Sequence, residues 1–458
     1  MISISILRKT NTIVFIFSYL LVGVILTSCK GEEEIDPNAL LELSTKHLII
    51  DDEEKVLSIS NTGNIAITWT LNSPDTELSI SPYTGILKPG ETVQAAVKVF
   101  KDQLSEGVYG MSIQLFTDQE IYYQVEVQVP VYEEKRWILD DQLVDVEYDM
   151  VHDRLVGVNN KNELLLIDPF SQEIERISLS FPAVCVSVSQ DGQYATVGHI
   201  AAFSRVNLDQ GQVIKEQGLP TEVFDLVEAP NQWIYINSNF DYWNSMYNFN
   251  LETGEQGWST YSGVSLNSIL RISPKGEYVY SLPMNNFPRN VIKLSTSTGS
   301  SSFANASPYH GDYSFGDNFW ISKDGQKLLT NSGNIFVLSE NPTFDLTYYG
   351  NIQTDGTIKV MSQLESDKRI CVVINTSTNY PYVERNTLAL YSNSLGLLEE
   401  IDLPPFIYQD GQGLYHVANN EIEYAFPSFD DKNYIIVSKS NLSFSNDQKF
   451  AIQLVSLN

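Results

Sequence analysis

Cysteine is scarce in this chain, with three among 458 residues. Three cysteines cannot build a disulfide framework, and none stands at a Cys/His spacing that would hold zinc. Cys185 and Cys371 lie in apolar strand-like runs and read as small buried hydrophobes. A disulfide between them stays open, although the repeats described below place them apart. Positive charge is also short: 28 Lys and Arg stand against 57 Asp and Glu, a net charge of −29. That balance argues against nucleic acid or an anionic lipid surface as an electrostatic partner. A neutral or cationic ligand, or a metal ion, suits it better. The five histidines, His47, His152, His199, His310 and His416, are scattered. The sequence has no Gly-x-Ser-x-Gly elbow, no His-Glu-x-x-His, no phosphate-cradling glycine loop and no EF-hand. No catalytic residue, metal ligand or cofactor is assigned.

One long uncharged run is present. Arg8 and Lys9 precede the apolar stretch from Thr12 to Leu26, the layout of a secretory signal peptide. The stretch ends Leu26-Thr27-Ser28-Cys29, which resembles the lipobox of bacterial lipoproteins. The resemblance implies that residues 1–28 are removed and that Cys29 carries a lipid. A plain signal anchor is the competing reading, since about 20 uncharged residues can just span a bilayer. The next residues, Lys30-Gly31-Glu32-Glu33-Glu34-Ile35-Asp36, make residues 29–39 an acidic tether. They are similar to the export signal of surface lipoproteins in Bacteroidota. That implies an outer-membrane location facing the cell exterior, with the inner leaflet as the alternative.

The chain is too long for one ordinary core. Residues 40–132 alternate apolar and polar positions in short runs, for example Val56-Leu57-Ser58-Ile59 and Tyr123-Gln124-Val125-Glu126-Val127. Turn residues separate the runs, as in Asn61-Thr62-Gly63-Asn64 and Lys88-Pro89-Gly90-Glu91. About seven strands in roughly 90 residues predict a β-sandwich. Asn61, Gly63, Trp69, Pro82, Gly85, Leu87, Pro89, Gly90, Gly107 and Tyr109 together resemble the BACON family and its immunoglobulin-like relatives. The resemblance implies an immunoglobulin-like fold with Trp69 between the sheets. It also implies a module that serves as a spacer, with carbohydrate or mucin contact as the other role.

Residues 133–458 repeat more loosely. The pattern apolar–Ser–x–x–Gly–x recurs at Val188-Ser189-Gln190-Asp191-Gly192, Ile272-Ser273-Pro274-Lys275-Gly276 and Ile321-Ser322-Lys323-Asp324-Gly325. Weaker copies start near Tyr148, Ala229, Ser366 and Ser428. A spacing of about 46 residues is that of four-stranded propeller blades. The repeats are similar to those of YVTN and WD40-like propellers, without a Trp-Asp dipeptide to mark the blades. The expected fold is all-β: an immunoglobulin-like sandwich followed by a seven-bladed β-propeller, with six or eight blades as alternatives. The last blade, ending in Phe450 to Leu457, lacks a fourth strand. Residues 133–140 are expected to supply it and so to cover an open edge.

The loops between second and third strands and between blades share one face. They carry Tyr242, Trp243, Phe287, Tyr309, Tyr313, Tyr380, Tyr382 and Tyr408 among Asn and Asp. Flat rings cover the apolar faces of sugars, and amides and carboxylates bond their hydroxyls. Protein-binding faces use the same anchors. These eight residues are the expected contacts to an extracellular glycan or protein, and the protein is expected to bind rather than catalyse. Two alternatives remain. One is a propeller-type lyase or glycosidase using loop acids such as Asp241, Asp312 and Asp410. The other is an envelope docking or assembly protein.

Overall fold

The computed structural model describes residues 38–132, 136–239, 245–379, 382–441 and 449–457. Residues 1–37, with the expected signal peptide, Cys29 and most of the expected tether, lie outside them. The described residues form 38 strands and one short 3-10 turn, Lys101–Gln103, so the chain is nearly all β.

The N-terminal part is two sheets around one core. The first orders Leu41–Leu43, Glu54–Asn61, Thr92–Val99 and Leu78–Ser81. The second orders His47–Ile49, Tyr122–Val131, Gly107–Thr117, Ile67–Asn72 and Thr84–Leu87. Alternation decides which face is buried. In Tyr122–Val131, Val125, Val127 and Val129 point inward while Tyr122, Gln124 and Glu126 stay exposed. The inward faces of both sheets meet in a single cluster that holds Leu57, Ile59, Val97, Ile113 and Leu115. Each such side chain contributes about 1.5–3 kcal/mol by leaving water. Trp69 is the largest member, 2% exposed. Gly85 pairs with it across the strands, and a Cβ there would lie 3.0 Å from the indole ring. Asn61 closes a turn by donating from Nδ2 to the Ile65 and Leu87 carbonyls.

The rest of the chain folds into six four-stranded sheets in chain order, covering 143–178, 183–218, 223–258, 268–306, 319–351 and 357–403. A five-stranded terminal sheet follows. In each of the six, strands pair in sequence order. The first strand touches the first strand of the next sheet. The terminal sheet reaches back to the first: Tyr148 stacks on Phe426 at 5.8 Å, and Tyr424 donates to the Val144 carbonyl. The result is a propeller-like ring with the first strands innermost. Short apolar runs such as Leu155–Val158 and Leu164–Ile167 are buried on both faces, because sheets pack on either side.

The repeated Ser motif forms the turn between first and second strands. Ser189 Oγ bonds Asp191 at 2.6 Å and accepts from Tyr194 N–H at 2.9 Å. Ser322 does the same with Asp324 and Lys327, and Ser428 with Asp430 and Asn433. In the terminal sheet the strand Phe450–Ser456 has Asn433–Asn441 on one side and Arg136–Leu139 on the other. Its long inner strand, Tyr415–Pro427, pairs through its second part with Asn433–Asn441 and through its first part with Phe406–Gln409, the fifth strand. This hairpin meets the two-sheet part. The Gln128 side chain donates to the Tyr415 carbonyl and accepts its N–H, both at 2.7 Å. The Tyr132 ring lies 6.2 Å from that of Tyr415. Cys185 and Cys371 are both buried, unpaired thiols in different sheets.

Candidate ligand-binding face and central cavity

The inner strands enclose a cavity of about 310 Å³. Every sheet of the ring contributes to its wall, including Asp145 and Glu147 from the first, Asp225 from the third, Arg271 from the fourth and Asn318 and Trp320 from the fifth. Glu423 and Tyr424 come from the terminal sheet. These residues lie on or beside the inner strand of each sheet. Lateral bonds tie the turns between first and second strands. Gln190 Nε2 donates to the Ser273 carbonyl at 3.1 Å. Lys323 Nζ reaches Asp431 at 3.2 Å, and Asp431 also accepts from the Glu365 and Ser366 N–H groups at 2.8 Å.

The carboxylates of the cavity are bound to the framework. Asp145 accepts from Val186 N–H in the second sheet, and Glu147 from Val188 N–H there, both at 2.8 Å. Asp225 accepts from Leu270 N–H of the fourth sheet at 2.7 Å. Each therefore stitches its inner strand to the next. Asn318 takes part too, accepting from the Arg271 guanidinium at 3.1 Å. Burial lifts all three carboxyls above their ordinary range: Glu147 to about 8, Asp225 to about 7 against the pull of Arg271, and Asp145 in the same direction. The Asp225 side chain keeps 18% of its surface and that of Arg271 33%. Glu423 is paired with Lys439.

The eight expected contact residues have different fates. Phe287 is 74% exposed, with the Arg289 guanidinium 4.6 Å from its ring centre. Tyr309 and Tyr313 are half-buried and pack on each other and on Phe336. Tyr313 stacks on Tyr348 at 4.0 Å, and the Tyr309 hydroxyl accepts from Tyr348 N–H. Their faces are spent on the fifth sheet. Tyr408 is half-buried in the hairpin beside the two-sheet part, stacked on His416. Tyr242, Trp243 and Tyr380 lie outside the described residues, as does the side chain of Tyr382. The loop end thus does not gather its aromatics into one patch among the described residues. Phe181 and Ile200, exposed in neighbouring connections there, had no signal beyond being apolar in a loop.

The polar wall of the cavity was also missed. Its signal is a charge inside an otherwise apolar strand, as in Val144-Asp145-Val146-Glu147 and Phe224-Asp225-Leu226. Of the loop acids, Asp312 accepts from His310 N–H. Asp410 accepts from Gln412 and Leu414 N–H and lies 2.8 Å from His416 Nε2, the contact that holds its carboxyl below the usual range. Asp241 lies outside the described residues. His199, His310 and His416 do not line the cavity. Among the described residues no group of three His, Cys, Asp or Glu side chains is placed to hold a metal ion.

No protein-family profile matches the chain. No curated protein matches it either. Among solved structures it is similar to a chain titled Kuenenia stuttgartiensis hydrazine synthase, at 14% identity and a TM-score of 0.47, over 71% of this chain and 99% of that one.

Proposed function

We propose that this chain is a surface lipoprotein of the outer membrane that binds an extracellular glycan or protein and carries out no chemistry. In this reading Cys29 bears the lipid and the acidic tether faces outward. Residues 40–132 form a BACON-like immunoglobulin-fold spacer. The ring is a seven-bladed propeller, closed by the strand within residues 133–140, and its loop end is the binding face.

One observation carries the choice of binding over catalysis. Asp145, Glu147 and Asp225 are the carboxylates that line the central cavity with Glu423, yet each of the three accepts a main-chain N–H of a neighbouring sheet. A carboxylate fixed in that way is a poor proton carrier for a substrate, since swinging toward one would leave an inward N–H unpaired. Asp312 and Asp410 are engaged in their own loops in the same manner. Phe181, Ile200 and Phe287, exposed on connections of the loop end, offer apolar surface that either a glycan or a protein could cover.

The test is a screen of residues 30–458 against polysaccharides, oligosaccharides and mucin, with and without calcium, following product release in the same wells. Saturable binding without products supports the proposal. Released products would overturn it in favour of the enzyme. Silence on both, with an envelope protein captured by cross-linking, would favour docking. Cys29→Ala should abolish labelling by a radioactive fatty acid; retained labelling would remove the lipoprotein reading.

A further inference from the structure

The loop end carries a second recess, between the fifth and sixth sheets, with a volume of about 730 Å³. Its wall is almost wholly polar: Asn331, Ser332, Asn351, Gln353, Thr354 and Asp355 line it. We infer that this recess recognises the hydroxyls of a neutral polyhydroxylated ligand, a sugar. The inference rests on the binding function proposed above and gives it a place and a ligand class.

The recess is built on a fixed frame. The turn at 331–333 joins the second and third strands of the fifth sheet, and the segment at 352–356 connects that sheet to the sixth. Ile352 N–H donates to the Gly333 carbonyl at 2.9 Å. Gly333 sits at φ 83°, and a Cβ there would fall 2.2 Å from the Ile352 carbonyl oxygen, so only glycine permits this approach. Asn331 Oδ1 accepts from the Asp317 and Asn318 N–H groups, and Asn351 Nδ2 donates to Asn334. Thr354 Oγ1 donates to the Gly356 carbonyl at 2.8 Å. Asn318, whose N–H holds Asn331, itself lines the central cavity and accepts there from Arg271.

Upon this frame Gln353 and Asp355 are exposed, and among the described residues no hydrogen bond of the frame engages their side chains. An amide donates and accepts, a hydroxyl does both, and a carboxylate accepts, which is the set that matches adjacent sugar hydroxyls. The lining holds one acid and no basic side chain. On a chain of net charge −29, that setting repels phosphorylated, sulfated or uronic-acid ligands.

The experiment is calorimetric titration of the full chain in detergent with neutral oligosaccharides of hexoses, pentoses and N-acetylhexosamines. Polygalacturonate and heparin fragments serve as anionic counterparts. Wild type is compared with the double variant Gln353→Ala/Asp355→Ala and with Phe287→Ala. The expected result is saturable binding of a neutral sugar, weakened about tenfold or more in the double variant, as for one or two lost hydrogen bonds. The melting temperature should not move. Unchanged affinity in the double variant beside a loss in Phe287→Ala would overturn this site while leaving the binding function standing. Equal or tighter binding of the anionic fragments would overturn the ligand class. Failure of every sugar to bind would overturn the inference, and the mucin and protein arms of the broader screen then decide the binding function separately.

Discussion

Glu147 accepts the N–H of Val188 at 2.8 Å, so a side chain on the inner strand of one sheet closes a main-chain bond of the next. Asp145 and Val186 repeat the relationship two residues earlier. The ring is therefore sewn by inward-facing, half-buried carboxyls as well as by apolar packing, and this makes its stability depend on pH.

Burial raises the Glu147 carboxyl to about 8 and the Asp225 carboxyl to about 7. A carboxyl raised in the folded state contributes stability that is fully present below its unfolded value. That stability is lost as pH rises through the folded value. The melting temperature should fall between about pH 5 and 9. Glu147→Gln keeps an acceptor for Val188 and removes the charge, so it should flatten this slope and stabilise the protein at pH 9, where the wild-type carboxyl is ionised. Parallel thermal scans of both proteins across the range check it. A wild-type melting temperature that rises over that interval would refute the assignment.

The two halves of the molecule are joined at Gln128. Its side chain satisfies both the N–H and the carbonyl of Tyr415. Gln128→Ala removes two hydrogen bonds, each worth about 0.5–1.5 kcal/mol. It should split calorimetric unfolding into two transitions while leaving the buried Trp69 core intact by fluorescence. A single unchanged transition would show that the hairpin contact does not couple the halves.

Lys293 and Asp345 form an ion pair at 3.0 Å with side chains only 4% and 2% exposed, and Lys293 Nζ lies 4.0 Å from the Tyr278 ring centre. Lys293→Ala leaves Asp345 buried without its cation and should cost about 3–5 kcal/mol in urea unfolding. The pair of changes Lys293→Met/Asp345→Leu should recover most of that loss. Equal destabilisation by the single and double variants would place the cost in packing rather than charge.

Phe287 and Tyr313 separate binding from packing. Phe287→Ala should change stability by less than about 0.5 kcal/mol, since the ring is exposed. Tyr313→Ala removes a ring stacked on Tyr348 and packed on Phe336, and should cost about 2–4 kcal/mol. Chemical denaturation of the two variants measures both. A larger loss at Phe287 than at Tyr313 would reverse the roles.

Much of the local structure was legible because its cause is local. The two-residue alternation around Val125, Val127 and Val129 needs only one buried face. The Ser-x-Asp-Gly turns at Ser189 and Ser322 are made by side chains bonding their own neighbours. The cavity was harder to read. Nothing near Asp145 in the sequence announces that its partner is Val186, because the bond forms only when two sheets pack side by side.

The eight loop aromatics show the same division. Residue type alone makes Phe287 and Tyr313 equivalent, a flat ring in a polar loop. Packing distinguishes them, leaving one ring in solvent and laying the other on Tyr348. The amino-acid sequence by itself determined the strands, their turns and the strong excess of negative charge, since these follow from side-chain alternation, turn chemistry and composition. Only the tertiary structure decided which acids became struts between sheets, which aromatics became core and where a polar recess opened. Those outcomes depend on contacts between residues that only the packing of sheets brings together.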